Sequence, residues 1–124
     1  MEQVPLLIVD DDEDITDLFK MTLKYEGFDV ETAKSGQEAL EKASKKKFNI
    51  ALLDIMLPDM MGDTVAERLK KIDDSMEIIF VTGYSHLEDC IDATKIGLCE
   101  ILLKPVTNDE LMRALKSALA SYRG

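Results

Sequence analysis

Four short apolar runs in this chain each end in a polar side chain that could take part in chemistry. The runs LLIV, IALL, IIFV and ILL lead, in that order, to Asp10 and Asp11, to Asp54, to Thr82 and to Lys104. Short apolar runs that alternate with amphipathic stretches are typical of the buried strands of a parallel sheet. The carboxyl ends of such strands share one edge, where open α/β folds bind ligands. We therefore expect these five side chains to meet in one crevice.

Three carboxylates beside a hydroxyl and an ammonium suit the transfer of a phosphoryl group. Hard carboxylate oxygens at an open edge favour Mg²⁺, which keeps several waters and takes one or two carboxylates. Thr82 and Lys104 suit the phosphoryl oxygens instead, as a hydrogen-bond donor and a point charge. Asp54 stands alone at the end of its strand, whereas Asp10 and Asp11 lie in an acidic tract suited to a metal. Asp54 is therefore the predicted nucleophile, and its product is an aspartyl phosphate.

The elements that must position these residues follow a βα pattern that occurs five times. The second strand is the least apolar and is expected at an edge of the sheet. With right-handed crossovers, the pattern predicts an α/β fold with a doubly wound five-stranded parallel sheet of order 2-1-3-4-5 and five helices. All 124 residues, 1–124, are predicted to form a single domain. The predicted strands cover 4–10, 28–32, 48–53, 77–82 and 100–103, and the predicted helices cover 13–26, 36–45, 63–72, 85–96 and a last stretch that follows 107.

Local signals mark several of the helix ends. The segments 35–38 and 107–110 read Ser-Gly-Gln-Glu and Thr-Asn-Asp-Glu, the pattern of a capping box. Asp12 is predicted to cap the first helix, and Gly27 to end it in a left-handed conformation. The apolar positions predicted to face the sheet are Ile15, Leu18, Phe19 and Leu23 in the first helix, Val65, Leu69 and Ile72 in the third, and Leu111, Leu115 and Leu119 in the last.

Composition narrows the classes of function. The chain has 15 basic and 25 acidic residues, a formal net charge of −10, which disfavours binding to nucleic acid or to an anionic membrane. No apolar stretch approaches the roughly 20 residues of a membrane span, and no signal peptide is visible. The two cysteines, Cys90 and Cys99, lack metal-ligand spacing and are expected to be reduced thiols. These observations predict a cytoplasmic protein.

The segments LLIVDDDEDI, ALLDIMLPDMMG, IIFVTGYS and ILLKPV together resemble the receiver domain of two-component response regulators. The resemblance covers essentially the whole chain and implies the flavodoxin-like version of the predicted fold. It implies that Asp54 is the phosphoacceptor and that Thr82 and Lys104 bind the phosphoryl oxygens. It also implies that Asp11, Asp54 and the backbone carbonyl of Met56 hold Mg²⁺, with Asp10 assisting through water.

The same resemblance implies the partners and the kind of activity. The phosphoryl donor would be a phosphohistidine on a sensor histidine kinase or on a histidine phosphotransfer protein, docked at the outer edge of the first helix. The chain would be a signalling switch rather than an enzyme, catalysing only its own phosphorylation and slow autodephosphorylation. Phosphorylation would alter the surface of the fourth helix, fifth strand and fifth helix, which an output domain or target protein reads. A homodimer on phosphorylation is compatible with this scheme.

Four positions refine the resemblance. Pro105 forms with Lys104 the family's Lys-Pro pair, which is often joined by a cis bond. Ile101 stands where the family usually has an aromatic residue that turns inward after phosphorylation, so the usual aromatic readout is not expected. Met56 and Tyr84 occupy the two positions that flank the path of the attacking water. Met56 is apolar and Tyr84 is bulky, which predicts a fairly long-lived phosphoryl group.

Two other functions, each of a different class, are alternatives to a phosphorylated receiver. Residues 12–16, Asp-Glu-Asp-Ile-Thr, fit the DxDxT motif of Mg²⁺-dependent phosphatases that resemble the haloacid dehalogenase superfamily. However, this motif begins two residues beyond the strand end, and no acidic pair follows Lys104 to complete that family's metal site. The other alternative is a receiver-like interaction module that works without phosphorylation. Such modules usually lack one of the acidic, threonine or lysine positions, all of which are present here.

Overall fold

The computed structural model describes residues 3–83 and 100–121. It contains a five-stranded parallel sheet of order β2-β1-β3-β4-β5, which confirms the predicted order. The fourth predicted helix, together with Tyr84, Cys90 and Cys99, lies outside the described residues. The strands are β1 (Val4–Val9), β2 (Phe28–Ala33), β3 (Ile50–Leu53), β4 (Glu77–Thr82) and β5 (Glu100–Leu103). The helices are α1 (Glu13–Tyr25), α2 (Gly36–Lys45), α3 (Gly62–Ile72) and α4 (Asn108–Ser121), the last being the fifth predicted helix.

The sheet is buried on both faces, which explains why its central strands are continuous apolar runs. Alternate residues of one strand enter different cores, so Leu7 and Val9 pack on one side and Leu6 and Ile8 on the other. The first core contains buried residues of α2 and α3, and the second contains buried residues of α1 and α4. This arrangement is the doubly wound architecture that the sequence predicts. The edge strand β2 is only half buried along its length, as its lower apolarity indicates.

Several helix ends are held as the sequence predicts. Asp12 Oδ1 accepts hydrogen bonds from the backbone N–H groups of Asp14 (3.0 Å) and Ile15 (3.3 Å), which caps α1. Gly27 has a φ of +97°, in the left-handed region. The glutamates of the two capping boxes differ from the usual pattern. Glu38 accepts from the N–H of Lys34, one residue before the cap, and Glu110 accepts from the side-chain hydroxyl of Thr107.

Four of the residues predicted to face the sheet are not fully buried. The side chain of Leu18 is 61% exposed and that of Ile72 is 43% exposed, while Ile15 and Leu119 are only partly buried. The buried face of α1 is centred on Thr16, Phe19 and Leu23, which leaves Leu18 on the flank of the helix. The 3.6-residue repeat of apolar positions identifies which side of a helix is apolar, but it does not fix how the helix is rotated about its axis against the sheet. Residues at the border of the apolar side are therefore the ones whose burial was predicted wrongly. In α4, small alanines at 114 and 118 fill the core beside the leucines.

Candidate functional site

The converging side chains of the predicted site lie at the carboxyl ends of strands. Backbone hydrogen bonds between neighbouring strands continue for one residue beyond these ends. The N–H of Asp10 donates to the carbonyl of Ala33 (3.0 Å), and the N–H of Asp54 donates to the carbonyl of Val9 (2.9 Å). The N–H of Lys104 likewise donates to the carbonyl of Thr82 (2.9 Å). The parallel ladder thus fixes the backbone of the site residues on four adjacent strand ends.

The carboxylates of Asp10, Asp11 and Asp54 converge at this edge. One oxygen from each lies within 4.8 Å of the others. Asp10 and Asp54 are buried, with relative exposures of 4% and 7%, whereas Asp11 is exposed. Thr82 is fully buried at the end of the neighbouring strand. The cluster is therefore a partly buried acidic crevice that is open to solvent on the side of Asp11.

Lys104 reaches across the crevice and binds two of the three carboxylates. Its Nζ lies 2.7 Å from Asp10 Oδ2 and 3.1 Å from Asp54 Oδ2, and its side chain is 20% exposed. The peptide bond that follows it, to Pro105, is cis. The ammonium thus partly neutralises the two buried carboxylates, which would otherwise repel each other across a region of low dielectric.

The mutual proximity of these charges alters their proton affinities. Burial raises the pKa of Asp10, and the neighbouring charge of Asp54 adds to that increase. The hydrogen bonds that Asp10 accepts from Lys104 and from the N–H of Asp12 oppose the increase without cancelling it. For Lys104, burial acts to lower the pKa, but the hydrogen bonds and charges of the two aspartates outweigh it and raise the pKa. The lysine therefore remains a cation throughout the physiological range.

The raised pKa of Asp10 predicts a specific pH dependence of stability. In the folded protein Asp10 keeps its proton to a higher pH than in the unfolded chain, where its pKa is about 3.9. Its contribution to the free energy of unfolding is fully present below about pH 4 and is lost as the pH rises through the folded value. The unfolding free energy of the wild type minus that of Asp10→Asn should therefore fall as the pH is raised from about 4, by at most about 1.4 kcal/mol per pH unit. Urea titrations of both proteins at successive pH values measure this difference, and a difference that rises with pH contradicts the assignment.

The loop between Asp54 and Gly62 closes tightly over the end of β3. The N–H of Gly62 donates to the carbonyl of Ile55 (2.7 Å), and Met56 and Met61 form an antiparallel bridge across the loop. The N–H of Met56 donates to Asp54 Oδ1 (3.3 Å), which orients the carboxylate of the predicted phosphoacceptor. A Cβ atom at position 62 would lie 2.3 Å from the carbonyl oxygen of Asp54, so only glycine fits this turn.

The sequence did not predict one contact, which joins this loop to the start of α2. Both carboxylate oxygens of Asp59 accept backbone N–H groups from the start of α2, those of Gly36 and Gln37, at 2.9 Å each. These hydrogen bonds lower the pKa of Asp59. The contact joins positions 22 and 23 residues apart, so no local motif indicated it.

The amino-acid sequence matches a known family over most of its length. The family model for the response regulator receiver domain matches residues 6–116. The chain belongs to this family. It is 34% identical to the transcriptional regulatory protein ZraR of Klebsiella oxytoca over 122 residues, which is 98% of this chain and 28% of that protein. It is 34% identical over 119 residues to the uncharacterised transcriptional regulatory protein YkoG of Bacillus subtilis, covering 96% of this chain and 52% of YkoG. The chain thus spans about a quarter to a half of the length of these two curated relatives.

Solved structures agree with the family assignment. A CheY-like receiver domain protein from Methanospirillum hungatei superposes with a TM-score of 0.91 at 39% identity, over 96% of this chain and 95% of that one. The chemotaxis protein CheY4 of Vibrio cholerae superposes with a TM-score of 0.86 at 28% identity, over 94% and 98% of the two chains. The flavodoxin-like fold expected from the sequence is therefore confirmed for this receiver domain.

The residues of the alternative DxDxT motif have structural roles in this receiver domain. Asp12 caps α1, and Thr16 Oγ1 donates to the backbone carbonyls of Asp12 (3.2 Å) and Glu13 (3.0 Å) within the first turn. These residues belong to the helix rather than to the strand end where a phosphatase nucleophile would stand. Over residues 3–83 and 100–121, no helix has the length and apolarity needed to cross a bilayer.

Proposed function

We propose that this receiver domain accepts a phosphoryl group on Asp54 in a Mg²⁺-dependent reaction, and that the group comes from a phosphohistidine. The observation that carries the proposal is the convergence of three carboxylates with one ammonium at the carboxyl edge of the sheet. Phosphoryl transfer depends mainly on positioning and on neutralising charge around the phosphorus, and this arrangement supplies both.

The donor set fits a magnesium ion. Carboxylate oxygens from Asp10, Asp11 and Asp54 lie close enough to share one cation, and the exposed position of Asp11 leaves room for the waters that Mg²⁺ keeps. Asp11, Asp54 and the backbone carbonyl of Met56 would hold it, with Asp10 assisting through water. When bound, Mg²⁺ would supply positive charge in addition to that of Lys104, and this would lower the cost of bringing a dianionic phosphoryl group to the acidic crevice.

In the proposed reaction each of the converging side chains has one role. A carboxylate oxygen of Asp54 attacks phosphorus as the bond between phosphorus and the imidazole nitrogen breaks, and the freed imidazole keeps the electron pair. Lys104 moves from its carboxylate partners to the phosphoryl oxygens, because these carry the new negative charge. The Thr82 hydroxyl is the proposed hydrogen-bond donor to the same oxygens. The backbone N–H of Met56, already bonded to Asp54 Oδ1, holds the carboxylate in place during the transfer.

An apolar groove beside Lys104 supports a kinase or phosphotransfer protein as the partner. The groove has a volume of about 350 Å³, and α1 and the loop after β5 form its walls. Leu18, which is exposed rather than packed in the core, lies in this groove next to the charged crevice. A partner helix that presents a phosphohistidine could bury this apolar surface while its imidazole points at Asp54. The groove is lined by Ile15, Leu18, Phe19, Lys104, Pro105 and Val106.

The proposal also covers how phosphorylation of the domain is passed on to an output domain or target protein. Residues 1–124 would form one receiver domain in the cytoplasm, and phosphorylation would shift its equilibrium between two conformations. The curated relatives named above are transcriptional regulatory proteins of greater length, so an output domain or a separate target protein would read the change. The exposed β5 side chains Ile101 and Leu103 belong to the proposed output surface, which also serves for a homodimer on phosphorylation. This domain would not contact nucleic acid directly.

Incubation with acetyl phosphate and Mg²⁺ tests the proposal. The wild type should gain one phosphoryl group per chain by intact mass, and Asp54→Asn should gain none because it lacks the nucleophile. Asp74→Asn is the matched control, since Asp74 is an exposed carboxylate just before β4, at the opposite edge of the sheet, and it should be phosphorylated like the wild type. Release of many phosphates per chain would favour a phosphatase. No uptake by the wild type would favour an interaction module.

A further inference from the structure

The loop that follows the predicted phosphoacceptor is attached to the rest of the fold at two places. Its base is closed by Gly62 against the backbone of Asp54 and Ile55, and by the bridge between Met56 and Met61. Its tip, residues 57–60, extends away from β3 toward α2. The second attachment lies at this tip, and neither the family motif nor the metal site accounts for it.

The tip is held by the hydrogen bonds of Asp59 and by the apolar packing of Met60 and Leu57. The carboxylate of Asp59 accepts one hydrogen bond on each oxygen, from the first two backbone N–H groups of α2. These groups have no partner within their own helix, because the first turn of any α-helix leaves its N–H groups unsatisfied. Met60 packs directly against the same turn, since a Cβ atom at position 36 would lie 2.6 Å from Met60 Cγ.

Helix α2 does not depend on Asp59 alone for its cap. Ser35 Oγ accepts the N–H of Glu38 (3.1 Å), so α2 has an ordinary local cap in addition. The two caps bind different N–H groups and come from different parts of the chain. The local cap can therefore be removed without touching the loop, and the loop can be released while the local cap remains.

We propose that Asp59 is a positioning residue for the Mg²⁺ site, and that it acts by fixing the 54–62 loop to α2. This inference rests on the proposed function, in which the backbone carbonyl of Met56 is a metal ligand. Met56 belongs to the closed base through its bridge to Met61 and directly precedes the tip, so its backbone is constrained on both sides. Without Asp59 the tip keeps only its apolar packing, and the Met56 carbonyl becomes less well ordered before the metal binds.

The expected effect is a loss of metal affinity rather than a loss of the reaction. Residues that orient metal ligands typically contribute about 10- to 100-fold to affinity. Asp59 acts on one backbone ligand of the three proposed, so we expect Asp59→Ala to weaken Mg²⁺ binding on the order of tenfold, at the low end of that range. Phosphorylation should then require more Mg²⁺, while the rate at saturating Mg²⁺ stays close to that of the wild type.

The experiment measures the dissociation constant of Mg²⁺ by calorimetry, with no phosphoryl donor present. Asp59→Ala is compared with Ser35→Ala, which removes a cap from the same helix but leaves the loop attached. Ser35→Ala should bind Mg²⁺ like the wild type. Asp59→Asn keeps one acceptor oxygen for one of the two N–H groups, so its affinity should lie between those of Asp59→Ala and the wild type. This variant also keeps the test informative if the alanine variant folds poorly.

The outcomes separate this inference from the proposed function. Equal affinities of Asp59→Ala and the wild type would overturn the positioning role. So would an equal loss in Ser35→Ala, because the effect would then come from fraying of α2. Asp11→Ala serves as the reference for a damaged site, and it should abolish binding. If the wild type bound Mg²⁺ no better than Asp11→Ala, the proposed function would fail, and the role of Asp59 with it.

Discussion

Replacing Gly62 with alanine is expected to lower the free energy of unfolding by about 3 kcal/mol and to impair phosphorylation of Asp54. The new Cβ atom would lie 2.3 Å from the carbonyl oxygen of Asp54 and 2.8 Å from Cα of Ile55. Both neighbours are backbone atoms of the segment that leaves β3, so neither can move aside as a flexible side chain would. Overpacking usually costs about 1–3 kcal/mol, and a clash with backbone belongs at the upper end.

The functional consequence follows from which backbone must move. The carbonyl that meets the new methyl group belongs to the predicted phosphoacceptor itself. A shift there changes the direction of the Asp54 carboxylate and lengthens its hydrogen bond from the N–H of Met56, now 3.3 Å. We therefore expect slower uptake of a phosphoryl group from acetyl phosphate even at temperatures where the variant is fully folded.

Gly83→Ala is the matched control for this prediction. A Cβ atom at position 83 has no heavy atom within 4 Å, and the residue is exposed just after Thr82. The same substitution should change the unfolding free energy by no more than about 0.5–1 kcal/mol, in either direction. Chemical unfolding measures both variants. Similar stabilities for the two variants would show that the 54–62 loop adapts to a side chain at position 62.

The sequence predicts the site more completely than it predicts the packing around it. Apolar runs that end in Asp54, Thr82 and Lys104 could be placed together because parallel pairing forces their carboxyl ends onto one edge. That argument needs only the order of the strands, which the lower apolarity of β2 helped to establish. The burial of Leu18 and Ile72 was predicted wrongly, because it depends on how each helix is rotated, and no local signal encodes the rotation.

Contacts between loops were the other part that the sequence did not indicate. Asp59 reaches the start of α2 through two hydrogen bonds to backbone, and backbone donors carry no sequence signature. The sequence predicted only part of what Lys104 contacts. Its charge was placed next to the phosphoryl group, whereas the structure shows it bridging two carboxylates. The prediction and the observed bridge are compatible, since a lysine at this place can bind whichever anions occupy the crevice.

Replacing Lys104 with methionine should have opposite effects on stability and on metal binding. The change removes the cation that bridges Asp10 and Asp54 but keeps most of the side-chain volume. Breaking a buried ion pair from one side typically costs about 3–5 kcal/mol. Lys104 is one-fifth exposed, so we expect a smaller loss, about 2 kcal/mol, in the metal-free protein.

Mg²⁺ should reverse much of this loss. The freed carboxylates carry an uncompensated charge, so a divalent cation binds them more tightly than in the wild type, where the ammonium competes for the same oxygens. Phosphorylation should nevertheless be slower at saturating Mg²⁺, because the transferred group loses the positive charge that Lys104 would place on its oxygens. Chemical unfolding with and without Mg²⁺ measures the first effect, and phosphoryl uptake measures the second.

Lys46→Met provides the matched control, because Lys46 also bridges two carboxylates. Its Nζ lies 2.7 Å from Asp29 Oδ2 and 2.8 Å from Glu31 Oε2, but all three side chains are more than one-third exposed. Exposed ion pairs contribute little, so this variant should lose no more than about 1 kcal/mol, and Mg²⁺ should not restore the loss. Equal costs at the two positions would show that burial at the crevice adds nothing to the Lys104 interaction. A cost that is larger at Lys104 and is relieved only there by Mg²⁺ would mean that the lysine and the metal neutralise the same carboxylates.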